Sequence, residues 1–103
     1  MHAVLEYTYV DDYLERRDVF RQQHLRAAWA AAERGELLLG GAVGEGAGPF
    51  TALIVFVGDD ALGRARAFAA TDLYVTGGLV TSWTARPWTT VVGDLAAGPV
   101  RPD

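Results

Sequence analysis

Four runs of β-forming residues and two helical stretches follow one another in the order strand, helix, strand, strand, helix, strand, and that order leaves few folds open. Residues 2 to 9 (HAVLEYTY) put Ala3, Leu5, Tyr7 and Tyr9 on one face and Val4, Glu6 and Thr8 on the other, the period-two signature of a strand. From Asp11 to Arg34 the period is helical: at about 100° per residue, Tyr13, Phe20, Ala28 and Ala31 share one stripe. Asp12 followed by Glu15 reads as a capping box at the start of this helix, and Gly35 as the glycine that ends it. Residues 36 to 43 (ELLLGGAV) form a second strand whose glycines predict a bulge or a close backbone approach. The turn GEGAGP leads to a third strand at residues 50 to 57. Gly58-Asp59-Asp60 turns into and caps a short helix through Ala70, followed by a helical turn and loop over residues 71 to 78. Residues 79 to 92 form the last strand, where Pro87 marks an edge or a bulge.

This pattern is α+β and predicts a ferredoxin-like βαββαβ unit, a four-stranded antiparallel sheet with both helices on one face. With 103 residues the chain makes one domain, residues 1 to 92, and a C-terminal tail, residues 93 to 103, that has little to bury and is expected to fray. The sheet face away from the helices carries large apolar side chains. A homodimer that stacks sheet on sheet is the expected cover.

Several function classes drop out on composition. The net charge is −4, and every basic residue except Arg86 and Arg101 lies on the two predicted helices, so no nucleic-acid partner is expected. Cysteine is absent, which excludes disulfides, thiolate catalysis and Cys-based zinc sites. No apolar run approaches the roughly 20 residues of a membrane span and no targeting segment opens the chain, so a cytoplasmic protein with no membrane partner is expected.

The residue that calls for an explanation is His24, which falls in the apolar stripe with Arg17 beside it and Arg21 one turn away. Asp72 follows the second helix, where the fold brings it toward the first. A carboxylate that accepts from one imidazole nitrogen fixes the tautomer and frees the other nitrogen for proton transfer near neutrality. Arg17 and Arg21 offer the forked donors that suit a carboxylate or phosphate. Tyr74 is placed to wall a pocket for a ring, and Tyr7 joins it as a candidate substrate contact. Each residue also has a plainer reading: His24 as a packed rim residue, Asp72 as a cap for the turn 73 to 76, the arginines as long stems at a rim. The residues alone leave these open.

Other candidates fall away. The glycines at 44, 46 and 48 join strand to strand and open no helix, which makes a poor phosphate cradle. His2 and His24 make a pair at most, too few ligands for a metal, and haem or metal-dependent oxygenation lacks its ligands. Ser82 lies mid-strand with no local histidine, and Trp83 and Trp88 read as packing residues.

Taken together, Arg17-x3-Arg21-x2-His24-Leu25, the stop at Gly35 and Leu37-Leu38-x-Gly40-Gly41 resemble the first half of YciI-like (YCII-related) proteins. Asp72-Leu73-Tyr74, Gly77-Gly78-Leu79 and Arg86-Pro87-Trp88 look like that family's Asp-Pro-Tyr, Ala-Gly-Leu and Arg/Lys-Pro-Phe run, so the ordered match covers residues 1 to 92. The resemblance implies a dimeric α+β barrel with a His-Asp pair in a pocket between sheet and helices, which maps onto His24 and Asp72. It implies lyases or dehydrochlorinases acting on small hydroxylated rings, with muconolactone isomerases as relations. Leu73 replaces the family's proline, a change expected to loosen the loop holding Asp72, and the short loop between strands two and three is expected to open the pocket rim. The expected function is a small cofactorless enzyme that moves a proton on a small cyclic or aromatic anionic substrate. His24 and Asp72 would be catalytic, with Arg17, Arg21, Tyr7 and Tyr74 at the substrate. The alternative is a non-catalytic ligand binder or dimeric accessory protein. An enzyme requires His24 and Asp72 within about 3 Å beside an open cavity of a few hundred Å³, whereas an accessory protein could have them packed shut.

Overall fold

A computed structural model describes all residues, 1–103. The elements are β1 (His2–Tyr9), α1 (Tyr13–Arg16), α2 (Asp18–Glu33), β2 (Leu37–Val43), β3 (Thr51–Val57), α3 (Ala61–Thr71), α4 (Leu73–Thr76) and β4 (Val80–Trp88). All strand pairs are antiparallel and the sheet order is β2-β3-β1-β4, the ferredoxin-like arrangement that the alternation predicts.

The pleat decides which side chains meet the helices. In β1, Ala3, Leu5, Tyr7 and Tyr9 are buried, and their partners Phe56, Ile54 and Ala52 in β3 point the same way. Ala61, Ala65, Phe68 and Ala69 of α3 close over them, so alanines bring the helix backbone near the sheet while aromatics fill the remainder. Tyr7, Tyr74, Phe56, Leu5 and Leu79 are the largest fully buried side chains. Burying side chains of this size contributes about 1.5–3 kcal/mol each before entropy is counted. On the opposite face Leu39, Val43 and Leu53 are exposed.

Several local expectations change. The helix expected from Asp11 to Arg34 is divided at Arg17, where the Phe20 N–H donates to the Arg17 carbonyl three residues back, a 3₁₀-type tightening. The Asp12 capping box does not form: no backbone N–H reaches that side chain, which faces Arg16 at 3.6 Å instead. Asp60 likewise makes no side-chain cap. Gly35 ends α2 as expected. Its φ of +78° suits glycine, its N–H donates to the Ala32 carbonyl, and the Glu36 N–H donates to that of Ala31, which together make a Schellman motif. In β2 the bulge comes at Leu38, between the pairs Leu37–Phe56 and Leu39–Val55, rather than at the glycines. The close approach is at Gly40, where a Cβ would lie 3.2 Å from the Ile54 side chain. β4 stops at Trp88 rather than at residue 92, with Pro87 on the edge strand. Beyond it the chain turns on itself. The Ala97 N–H donates to the Thr90 hydroxyl, the Gly98 N–H to the Thr90 carbonyl and the Val100 N–H to the Val91 carbonyl, so hydrogen bonds organise a segment with almost nothing buried.

Candidate active site

The centre of the site is Asp72, a carboxylate with a side chain fully removed from solvent. It sits where α3 ends and α4 begins, with extended backbone that turns the side chain back over α4. Three groups converge on its two oxygens. The Tyr74 backbone N–H donates to Oδ1 at 3.1 Å, the Tyr7 hydroxyl donates to Oδ2 at 2.8 Å, and His24 Nδ1 lies 2.8 Å from Oδ1 and 3.0 Å from Oδ2. A buried charge is tolerated only when it is paired and hydrogen-bonded, and this one is both. Two donors from the sheet and α4 make Asp72 an acceptor. The network therefore assigns the proton between imidazole and carboxylate to His24 Nδ1 and leaves Nε2 as the nitrogen without a proton.

The imidazole is held from its face as well as its edge. It stacks on the Tyr74 ring at 3.7 Å between centroids and 5° between planes, with Phe68 edge-on at 6.2 Å. Its side chain keeps 13% exposure and lines a cavity of about 460 Å³ between α2, α4 and the sheet. That is an open pocket in the size range of small-molecule sites, not a pair packed shut.

Arg17 and Arg21 line the same cavity beside His24. The Arg17 guanidinium lies 5.6 Å over the Tyr13 ring. Tyr13 in turn stacks on Tyr9 at 3.9 Å, and Tyr74 stands edge-on to both. Burial raises the Tyr74 hydroxyl pKa, with Tyr13 adding to it, while Arg21 and then Arg17 beside it pull the value down. Burial also lifts Tyr9, and for Tyr7 burial and then the Asp72 charge hold the hydroxyl far above the ordinary tyrosine value, so Tyr7 stays a donor. Two polar atoms of the site are buried without a partner, Arg17 Nε and the Tyr74 hydroxyl. Both atoms are closed to solvent behind the cavity wall, with Arg21 beside the Tyr74 hydroxyl and Tyr13 beside Arg17.

The structure thus brings His24, Asp72, Arg17, Arg21 and Tyr74 together. Tyr7 is the exception. It is almost wholly buried behind Asp72 and does not line the cavity, because the inward face of the central strand is covered by α3 and α4, so its contact is with Asp72 rather than with a substrate. Asp72 does cap α4, as its plainer reading holds, and it holds His24 with the same two oxygens. Leu73 in place of proline starts α4 without freeing Asp72. The rim does not follow the short 44–49 loop: Leu38, Leu39 and Trp29 border the cavity and that loop does not. Sequence reading missed the far half of the cavity, lined by Leu25, Ala28 and Trp29 on α2 and by Gly40 and Ala42 on β2. Its signal was Ala28 and Ala32 at i+4 and i+8 from His24, small residues on a stripe where large ones would pack.

No family model matches the chain, and no curated protein matches its sequence. Solved structures match its shape. The 5-chloro-2-hydroxyhydroquinone dehydrochlorinase TftG from Burkholderia phenoliruptrix AC1100, solved with 2,5-dihydroxybenzoquinone, aligns with a TM-score of 0.70 at 16% identity, over 87% of this chain and 95% of that one. SnoaB, a cofactor-independent oxygenase from Streptomyces nogalater, aligns at 0.53 and 18% identity over 90% and 96%. Protein Atu4242 from Agrobacterium tumefaciens aligns at 0.51 and 12% identity over 93% and 96%. These likenesses establish the fold alone, a four-stranded antiparallel α+β sheet of the ferredoxin-like type. No helix is long and apolar enough to cross a membrane.

Proposed function

We propose that this chain is a YciI-like enzyme that uses His24 and Asp72 to move a proton on a small cyclic or aromatic anionic substrate, as a lyase of the dehydrochlorinase type or as an isomerase. One observation carries the reading: a buried, fully hydrogen-bonded carboxylate orients an imidazole whose other nitrogen is left for an open cavity flanked by two arginines. The TftG likeness supports the same chemistry at the level of fold.

In an elimination, Nε2 takes the proton from a substrate carbon, the C–H electron pair becomes the new double bond, and the leaving group departs from the adjacent carbon with its own pair. Asp72 stabilises the imidazolium that forms, and the ring of Tyr74 beneath it favours the same cation. An isomerisation uses the first half of this sequence and returns the proton to a different carbon. Arg17 or Arg21 anchors the carboxylate or enolate. The reading calls for no cofactor. It includes a homodimer in which the exposed face bearing Leu39, Val43 and Leu53 packs against a second copy.

The test is turnover of a panel of phenolic and lactone carboxylates by the wild type and by His24→Gln. General acid–base groups contribute about 10²–10⁴-fold, so loss of that order is expected. Unchanged turnover in His24→Gln refutes the mechanism. Retained binding with no turnover in the wild type makes the protein a binder instead.

A further inference from the structure

Polar and apolar groups are segregated along the cavity. From Arg17 at the start of α2 the lining runs through Arg21 and His24 in the first half of the helix and Leu25, Ala28, Trp29 and Ala32 in its second. At 1.5 Å per residue the apolar part extends about 12 Å beyond His24. The wall opposite it is β2, where Gly40 and Ala42 face the cavity and leave room that larger side chains would take. The polar end is therefore made by two guanidiniums and the His24 imidazole.

Size points the same way. A cavity of about 150 Å³ holds one benzene ring, and this one is about 460 Å³. A single substituted ring seated at His24 and the arginines leaves the apolar half unfilled, and an apolar trench of that length has no polar ligand to serve.

Resting on the proton-transfer reading, we infer that the substrate is a fused-ring or similarly extended aromatic compound. It carries adjacent oxygen substituents, at least one anionic, on a single edge. That edge meets Arg17 and Arg21 and the reacting carbon faces His24. The apolar body lies in the trench between Ala28 and Ala32 on one side and Gly40 and Ala42 on the other. These four small residues set the length of substrate accepted.

Two probes that share a head group and differ by one ring test this: 2-hydroxybenzoate and 3-hydroxy-2-naphthoate, titrated calorimetrically into the full-length protein. The second ring adds buried apolar surface, so the naphthoate binds at least about tenfold tighter to the wild type. Filling the trench with Ala32→Leu on α2, or independently with Ala42→Leu on the edge strand, brings that ratio down toward one. Benzoate binding reports that the variant is folded. A wild-type ratio near one, or a ratio that survives both substitutions, overturns the inference and leaves the proton-transfer reading standing. A wild type that takes neither probe overturns both. If His24→Gln abolishes turnover while the ring preference persists, the trench and the dyad are separate contributors, as inferred.

Discussion

Removing one oxygen tests whether Asp72 is held from behind. In Tyr7→Phe the ring keeps its place in the core and only the 2.8 Å bond from the hydroxyl to Asp72 Oδ2 is lost. A hydrogen bond to a charged group contributes about 1.5–3 kcal/mol, and burial of this carboxylate leaves no water to replace the donor. Stability at pH 7 therefore falls by about 1.5–3 kcal/mol, and Tm by about 4–8 °C for each kcal/mol. The alkaline limb gives a second reading. Burial, then Asp72, raise the Tyr7 hydroxyl above its ordinary 10.0. Above pH 10 the unfolded chain releases this proton while the folded chain keeps it. The unfolded state then binds fewer protons, and stability falls as pH rises. Each such tyrosine steepens the fall by about 1.4 kcal/mol per pH unit. Tyr9, raised first by burial and then by Tyr13, contributes in the same direction in both proteins. Urea unfolding followed by circular dichroism from pH 9 to 11.5 should show the wild-type limb steeper than the variant's by that amount. Equal slopes, or a loss under about 0.5 kcal/mol at pH 7, would refute the argument.

Three further outcomes follow from the same geometry. Asp72→Asn replaces one of the two oxygens that accept from Tyr7, Tyr74 and His24 by an amide NH2 and costs about 1–3 kcal/mol, measured by thermal unfolding, with turnover falling alongside. Gly77→Ala places a Cβ 2.5 Å from Phe20 Cζ and 2.7 Å from the Leu73 carbonyl, an overpacking worth about 1–3 kcal/mol that urea midpoints will register. Leu53→Glu puts a charge on the open sheet face and should convert a dimer to a folded monomer in sedimentation; a wild type already monomeric at micromolar concentration sinks the dimer reading.

Element order was legible because each strand and helix carries its own period, and Gly35 announced the end of α2 through a backbone conformation that glycine adopts readily. The break at Arg17 was not, since the stripe from Tyr13 to Ala31 continues across it. The Asp12 cap failed because a local motif has competitors, here Arg16 one turn ahead. In the site, His24 and Asp72 stood out as polar residues in positions the fold brings together. Tyr7 was misplaced because period-two alternation gives a face but not what covers it. The trench escaped notice because it is made of side chains that are missing, and small residues look the same whether they pack a helix closely or leave a space.

Asp72 serves two masters, the start of α4 and the imidazole of His24, through the same pair of oxygens. Replacing this aspartate would take the cap from α4 as well as the partner from His24. His24 is under no such double obligation: its loss would leave the Tyr7 and Tyr74 donors in place on Asp72.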